Sequence, residues 1–391
     1  MARLPGPDES PFVIAGAGIG GLTAALALAK AGIRVVILEQ AESLEAIGAG
    51  IQLSPNASRI LFELGLGSRL AAAVRPEAIS IRRADGAPLA RIPLGAAAEA
   101  RYGAPYLVMH RGELQTALLG AVREAGIAPM LGVRVEGFVE DGPGITVRAA
   151  DGREFRARGL VGADGVRSRL RVQLGGGPPR FTGRIAWRAT IPGEAAGPSV
   201  EAGCATGLWL GARAHLVHYR LSGSRINLVA VTEGPDPGAT WSAPGEPAEI
   251  RRRFTAWARE ARDLVAAAET WRVWPLHDGT PAVGAGRATL LGDAAHPMLP
   301  FLAQGGAMAI EDAAVLAAML ARTPDVADAF RRYEAARGPR TARVVRAARR
   351  NAWAYHLSGL PALARDTVLR FAGDRLLAGY DWLYGWRAPG A

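Results

Sequence analysis

The sequence is poor in cysteine and lysine and contains no long uninterrupted apolar run. Cys204 is the only cysteine, so an internal disulfide is excluded and a reducing compartment is permitted. No apolar segment approaches the roughly 18 residues that a membrane span requires, and residues 1–10 lack the apolar core of a signal peptide. We therefore expect a cytoplasmic protein without a membrane span.

Because Lys30 is the only lysine, arginine supplies almost all of the basic charge. The formal net charge is +10, but the arginines are scattered in pairs or triplets such as residues 251–253. No zinc-ligand spacing or basic helix accompanies them, so we expect neither nucleic-acid binding nor a metal site. The positive field favours anionic small molecules such as carboxylates and nucleotides.

Residues 11–39 contain a dinucleotide-binding pattern. A short apolar run ends in G-x-G-x-x-G and leads into a helical stretch, a second apolar run and an acid. Gly16 permits a tight turn, Gly18 lets the backbone approach a pyrophosphate, and Gly21 lets the helix pack closely on the strand. Glu39 is placed to accept hydrogen bonds from a ribose. The pattern predicts an α/β chain with a Rossmann-like domain that binds an ADP-containing dinucleotide.

Two further strand ends carry glycine and aspartate, in residues 162–165 and at Gly292-Asp293. In doubly wound folds, ligands bind beyond the carboxyl ends of the strands, so the three turns are expected to meet at one elongated ligand. No second dinucleotide unit is present in the sequence. One cofactor is therefore expected to stay bound, while a second nucleotide only visits.

Strand-rich stretches interrupt the nucleotide-binding pattern and predict an inserted domain with an antiparallel sheet. In one of these strands the period of two places His215 and Tyr219 on one face and His218 on the other. Residues 248–268 predict a helix and the aromatic tail 380–386 is expected to pack down. The expected division is a discontinuous FAD-binding domain (1–77, 104–175 and 278–345), a substrate domain (78–103 and 176–277) and a C-terminal helical segment (346–391).

From Phe12 to the tail, the chain resembles the single-component FAD-dependent aromatic hydroxylases. It is most similar to the branch of salicylate hydroxylase and 3-hydroxybenzoate 6-hydroxylase. The motifs that carry the resemblance are Gly16-x-Gly18-x-x-Gly21 with Glu39, residues 48–57, His110-Arg111, Gly162-Ala163-Asp164-Gly165 and Gly292-Asp293-Ala294-Ala295-His296-Pro297.

The resemblance implies non-covalent FAD, with adenosine and pyrophosphate at the first glycine motif. Arg111 matches the arginine near the ribityl chain or pyrophosphate, and Gly292-Asp293 matches the aspartate motif at the ribityl hydroxyls. Asp164 matches the motif associated with FAD and with transient NAD(P)H contact. A helix starting near Gly305 and Gly306 would direct its positive end at the flavin pyrimidine edge. Ala303 stands where the family commonly has glycine.

The resemblance also implies a reaction. NADH or NADPH reduces FAD, O2 adds to give a C4a-hydroperoxide, and one oxygen is transferred to a small phenolic or aromatic carboxylate substrate. The phenol must lose or share its proton, and His215 is the candidate base because an ordinary histidine pKa of about 6.5 suits that task. Tyr219 completes the His-x-x-x-Tyr spacing of the hydroxybenzoate 6-hydroxylases, and Gln304 matches their glutamine over the ring.

Several alternatives remain open at this stage. His215 is also compatible with an ordinary sheet position, His218 is interpreted as structural, and His296 as the cap of a turn. Arg188 would meet either a substrate carboxylate or a surface acid. Gln52 replaces a histidine of 6-hydroxynicotinate 3-monooxygenase, which favours a hydroxybenzoate-like substrate. An FAD-dependent epoxidase and a non-catalytic flavin redox sensor are the competing functions. The sequence leaves open the exact substrate, the choice of NADH or NADPH, and a monomer or homodimer.

Overall fold

The computed structural model describes residues 10–44, 49–197, 200, 205–236, 238, 242–373 and 375–389. Gly48 and Cys204 lie outside them. The strands are β1 Phe12–Ala15, β2 Val35–Leu38, β3 Gly50–Leu53, β4 Ala78–Arg83, β5 Pro88–Pro93, β6 Leu107–His110, β7 Val135–Asp141, β8 Gly144–Ala149, β9 Glu154–Ala157, β10 Leu160–Gly162, β11 Arg180–Pro192, β12 Ala205–Gly211, β13 Ala214–Leu221, β14 Arg225–Glu233, β15 Ala243–Gly245, β16 Trp271–Asp278 and β17 Ala288–Leu290.

The helices of the described chain are α1 Ile19–Lys30, α2 Pro55–Glu63, α3 Gly95–Tyr102, α4 Arg111–Glu124, α5 Arg169–Gln173, α6 Pro247–Arg253, α7 Arg259–Ala267, α8 Gly305–Arg322, α9 Val326–Tyr355, α10 Gly359–Ala372, α11 Arg375–Ala378 and α12 Asp381–Tyr384. Short 3-10 turns occupy Ser68–Leu70, Gly193–Ala196 and Gly292–Ala294. Among the described residues, no helix combines the length and apolar character needed to cross a bilayer.

A parallel sheet in the order β17-β10-β1-β2 lies at the centre of the nucleotide-binding pattern. Its strands are short and almost wholly buried, as expected for a parallel sheet covered on both faces. The predicted strand–turn–helix–strand unit is confirmed by β1, α1 and β2. Since β1, β10 and β17 are parallel neighbours, their carboxyl ends bring the three glycine turns to one edge.

A mixed sheet of eight strands in the order β15-β16-β11-β14-β13-β12-β4-β5 forms the second layer. All of its neighbouring strands are antiparallel except β12 and β4. The strands come from residues 78–93 and 180–278, within the two stretches assigned to the substrate domain. The domain boundaries themselves remain a prediction.

The single helix expected over residues 248–268 is wrong, because the chain forms α6 and α7 with a break between them. The rings of Phe254 and Trp257 pack together at the break, with centroids 4.4 Å apart. Both belong to the core beneath the eight-stranded sheet. Ala258, which follows the break, is held in place by a hydrogen bond from its N–H to Ala84 O at 2.7 Å. With Ala258 in that place, one continuous helix would not bring both rings into the core.

The aromatic tail packs down as expected. Leu383 and Tyr384 of α12 are buried, and the Tyr384 ring meets the rings of Tyr102 and Tyr106 edge-on. The tail also covers the arginines of α9, where the Trp386 ring lies 4.7 Å from the Arg340 guanidinium carbon.

A buried ion cluster joins α8 to α9 and to this tail. The Arg337 guanidinium contacts Glu311 and Asp312 at 2.6 Å each, and both carboxylates are fully buried. Arg340 binds both carboxylate oxygens of Glu311 and donates a further hydrogen bond to Trp382 O at 2.9 Å. Buried charges of this kind require partners because their desolvation is costly.

We expect Arg337→Met to lower the free energy of unfolding by about 3–5 kcal/mol, because it leaves buried carboxylates without their main cation. Urea unfolding followed by circular dichroism measures the change. Arg331→Met is the matched control on the same helix, since Arg331 is exposed and pairs only with Asp328; its effect should stay below about 0.5 kcal/mol. Equal effects of the two substitutions would contradict the role of the cluster.

Candidate active site

The first glycine turn depends on glycine for its conformation and for close packing. Gly16 has a φ of +115°, and a Cβ there would collide with the carbonyl oxygen of Ala163. A Cβ at Gly21 would collide with Gly16 O, so the helix can approach the strand only with glycine. A Cβ at Gly18 would meet nothing within 4 Å. Helix N-termini of this kind suit anions, and the binding of a phosphate at this turn remains a prediction.

Glu39 lies at this turn, at the end of β2. Its carboxylate accepts hydrogen bonds from Ala17 N at 2.7 Å and from Ala41 N at 2.9 Å. Gln115 of α4 donates to Ala17 O at 3.0 Å and braces the loop from the other side. Sequence reasoning missed Gln115, because no local pattern marks a contact over 98 positions. The contact between Glu39 and a ribose remains a prediction.

Asp164 and Asp293 follow the other two strands. Asp164 Oδ2 accepts from Arg169 N at 3.0 Å and so caps α5, while its Oδ1 is buried without a hydrogen-bond partner. Burial raises the pKa of Asp164. Asp293 is half-buried and its Oδ1 lies 3.7 Å from the position of a Cβ on Gly305, beside the start of α8. Both carboxylates therefore lie at the edge where the glycine turns meet.

The turn into α8 carries backbone strain. Ala303 has a φ of +53°, a left-handed conformation that costs a residue with a Cβ about 1–3 kcal/mol. The family's usual glycine would adopt it freely. Gly306 allows a close approach, since a Cβ there would lie 2.9 Å from Ile51 Cδ1. Helix α8 therefore begins in a tight turn even though Ala303 stands where the family commonly has glycine.

Arg111 and Arg188 are close enough for their charges to interact. Arg111 begins α4 and is exposed, and its N–H donates to Ala49 O at 3.0 Å. The Arg188 guanidinium stacks over Trp274 at 5.1 Å. Burial lowers the pKa of Arg188, and the positive charge of Arg111 lowers it further. Since no carboxylate among the described residues pairs with Arg188, the surface ion pair is not its role.

A cavity of about 90 Å³ lies between the eight-stranded sheet and the turn before α8. Its lining is apolar and aromatic, with hydroxyl, amide and imidazole groups, and no described residue adds an acidic or cationic side chain. The lining residues are Gln52, Ile79, Ile81, Ile92, Tyr106, Thr206, Leu208, His215, Val217, Pro300, Phe301, Leu302, Ala303, Tyr355, Tyr380 and Tyr384. Pro300–Ala303 also lead directly into α8, so the cavity adjoins the glycine-rich edge.

His215 lines this cavity, as the predicted base should. Its ring is buried against Phe301, with centroids 4.9 Å apart, and against Tyr355 at 5.4 Å. His215 Nδ1 forms a 2.9 Å hydrogen bond with Nε2 of His356, which follows the last residue of α9. Burial lowers the pKa of His215 well below its ordinary value, and the neighbouring imidazole adds to the effect. The ring is therefore neutral near pH 7, and its Nδ1 is engaged by His356.

Tyr219 and Gln304 do not line the cavity. Tyr219 shares the sheet face of His215, but its ring packs against Gly50, where a Cβ would overlap it. Gln304 is buried, donates to Ser54 Oγ at 2.9 Å and accepts from Asn56 Nδ2 at 3.1 Å. The start of α8 turns the Gln304 amide into a polar network with α2, and its expected position over the substrate ring remains a prediction.

His218 and His296 have structural surroundings. His218 points to the opposite face and fills the space above Gly207, as expected, and burial lowers its pKa to about 4. The side chain of His296 does not cap its turn, which corrects the sequence interpretation; its Nε2 pairs with Asp312 at 2.6 Å. Burial by itself raises the pKa of Asp312, but the charges of His296 and Arg337 lower it to about 2.

Comparison with known proteins identifies the family. Residues 9–348 match the FAD binding domain family. The chain is 37% identical to 3-hydroxybenzoate 6-hydroxylase of Polaromonas naphthalenivorans (strain CJ2), covering 97% of each protein. The chain belongs to the FAD-dependent aromatic hydroxylase family. It is 41% identical to 3-amino-4-hydroxybenzoate 2-monooxygenase PtnB3 of Streptomyces platensis, over 96% of each. The structure of Klebsiella pneumoniae HpxO with FAD and uric acid superposes with a TM-score of 0.84, at 30% identity and 96% coverage of each chain.

Membership confirms the resemblance inferred from the motifs, and the protein is a flavoprotein monooxygenase with a Rossmann-like FAD-binding domain. The residues present fit FAD, since the glycine cradle, the open face at Gly18 and the orphaned Asp164 Oδ1 all lie along one edge. Among the described residues, no group of three or more potential ligands is arranged to hold a metal ion.

We expect Asp293→Ala to weaken retention of FAD, because it removes a carboxylate beside the start of α8, where the ribityl hydroxyls would bind. Flavin absorbance after gel filtration and titration of the apoprotein with FAD measure the loss. Asp151→Ala, in a remote hairpin turn, is the control and should retain FAD fully. Equal flavin content in both variants would remove Asp293 from the cofactor site.

Proposed function

We propose that this hydroxylase uses NADH or NADPH and O2 to hydroxylate a small, single-ring phenol or aromatic carboxylate. The observation that carries the proposal is the buried His215 ring in the wall of a cavity that adjoins the edge of the glycine turns. The volume of about 90 Å³ is of the same order as the ~150 Å³ engineered cavity that accepts benzene, which favours one ring. The hydroxybenzoate substrates named for two relatives support the same class.

When bound, FAD would supply the redox chemistry, accepting a hydride from NAD(P)H and activating O2 for the oxygen transfer expected from the resemblance. The protein's own part is to hold the cofactor and keep water away. On the adenosine side we assign the first glycine turn and Glu39, and on the flavin side Arg111, Asp164 and the Gly292-Asp293 and Gly305-Gly306 turns. The aromatic walls of the cavity exclude water, which protects a reactive oxygen donor from hydrolysis.

His215 would accept the substrate's hydroxyl proton at Nε2. A phenolate is a better nucleophile than a phenol, and a placed base typically contributes ~10²–10⁴-fold to the rate. Tyr219 would act indirectly, by packing under Gly50. Gln304 would also act indirectly, by fixing the start of α8.

The cavity offers neutral donors rather than a cation for a substrate carboxylate. Tyr106 Oη donates to Gln52 Oε1 at 2.6 Å, so a hydroxyl–amide pair is held in the wall. Arg188 is not among the residues that line this cavity, and its contact with a substrate carboxylate remains a prediction. We assign polar recognition of the substrate to the Tyr106–Gln52 pair.

Substrate-stimulated oxidation of NADH and NADPH across hydroxybenzoates and hydroxypyridine carboxylates tests the function. We expect at least one phenolic acid to stimulate consumption and to give a product heavier by one oxygen atom, whereas its methyl ether gives none. Oxidation of an isolated double bond with no need for a hydroxyl would favour the epoxidase. Absence of any stimulated turnover would favour the redox sensor, a reading that the monooxygenase names of full-length relatives weigh against.

His215→Ala should lower hydroxylation by roughly 10²–10⁴-fold, because the bound phenol keeps its proton. FAD content should stay unchanged, and a larger share of the NAD(P)H oxidised should yield hydrogen peroxide. His218→Ala, on the same strand but the opposite face, is the control for loss of a buried imidazole. Product formation in His215→Ala at the level of His218→Ala would remove His215 from the role of base.

A further inference from the structure

A row of proton-carrying groups runs from the cavity to the surface behind His215. His215 Nδ1 lies 2.9 Å from His356 Nε2, and His356 Nδ1 lies 3.6 Å from Glu233 Oε1. Glu233 Oε2 accepts a hydrogen bond from Arg213 Nε at 2.8 Å. The side chain of His356 is 3% exposed, that of Glu233 29% and that of Arg213 79%. The row therefore begins in a buried wall and ends in solvent.

The orientation of His356 suits a relay. Its Nε2 is engaged by His215, and its buried Nδ1 has no other hydrogen-bond partner, so the carboxylate of Glu233 is the acceptor within reach. A movement of about 0.5 Å brings that pair to hydrogen-bond distance. The three groups come from β13, the end of α9 and the last residue of β14. Neither His356 nor Glu233 has a role in the proposed reaction at His215.

We propose that His356 and Glu233 carry the substrate's hydroxyl proton from His215 to solvent. This inference rests on the proposed function. The substrate O–H breaks as His215 Nε2–H forms, and His215 Nδ1–H breaks as His356 Nε2–H forms. His356 Nδ1–H then breaks as a Glu233 O–H forms, and Glu233 releases that proton to water. Both imidazoles end neutral in their other tautomers, and no electron is transferred.

The surrounding charges disfavour a proton that stays on either imidazole, so they favour its transfer along the row. Arg184 of β11 lowers the pKa of both imidazoles beyond the effect of burial, and that of His356 falls to about 4. Burial by itself raises the pKa of Glu233, but the hydrogen bond from Arg213 and the charge of His356 lower it, so the carboxylate is ionised and able to accept.

Other polar groups also face this row. The Tyr355 ring packs on His215, and Arg365 of α10 donates to Tyr355 O. Burial raises the pKa of Tyr355, so its hydroxyl stays protonated near neutral pH.

The test follows proton movement in the oxidised holoenzyme without NAD(P)H. Stopped-flow mixing with 3-hydroxybenzoate, and then with other phenolic acids until one perturbs the flavin spectrum, records phenolate absorbance and proton release to a pH-indicator dye. The variants are His356→Gln and Glu233→Gln. The controls are His277→Gln, a half-buried histidine of β16, and Glu249→Gln, a surface acid paired with Arg253.

We expect phenolate formation and proton release to slow at least tenfold in both relay variants, a modest part of the ~10²–10⁴-fold that a placed base contributes. The dissociation constant of the phenol should change little, and Glu233→Asp should restore part of the rate. If His356 and Glu233 were purely structural, their substitution would weaken phenol binding and impair proton release together. Unchanged release rates in both variants would overturn the relay while leaving the proposed function intact. Failure of every phenol to bind would overturn both.

Discussion

The requirement that buried charges be paired holds this site in shape. Glu311 and Asp312 are adjacent on α8 and fully buried, so both carboxylates need cationic and hydrogen-bonding partners. Glu311 accepts from Asn56 of α2 at 2.7 Å, and Asp312 accepts from Gly292 N at 2.8 Å. Arg337 contacts both. One pair of carboxylates thus ties α2, the third glycine turn, α8 and α9 together, and the start of α8 cannot shift without breaking a charged contact.

The same helix sets the relation between cofactor and substrate. Its first residues, Gly305 and Gly306, lie beside Asp293 and Ile51, while the preceding Pro300–Ala303 segment forms one wall of the cavity. The opposite wall belongs to the eight-stranded sheet. In the proposed reaction the substrate ring must be held next to the flavin and away from water, and the fixed start of α8 would serve both needs. The strained Ala303 is tolerated because its surroundings over-determine its position.

Sequence reasoning succeeded where function depends on local backbone geometry and failed where it depends on side-chain partners. His215 was placed correctly, because strand alternation decides which face a residue occupies. The hydrogen bonds of the buried Gln304 amide with Ser54 and Asn56, about 250 positions away, could not be read from the sequence. His356 carried no signal at all, since its contact with His215 spans 141 positions.

The sequence by itself therefore determined the class of cofactor, the three convergent turns and the family. Glycine spacing and apolar periodicity dictate backbone conformation, and these are readable along the chain. Only the tertiary structure decided which polar groups face the cavity and which acids are paired. Those outcomes depend on the packing of α8 and α9 against two sheets, and a buried polar atom finds its partner through that packing rather than through its neighbours in sequence.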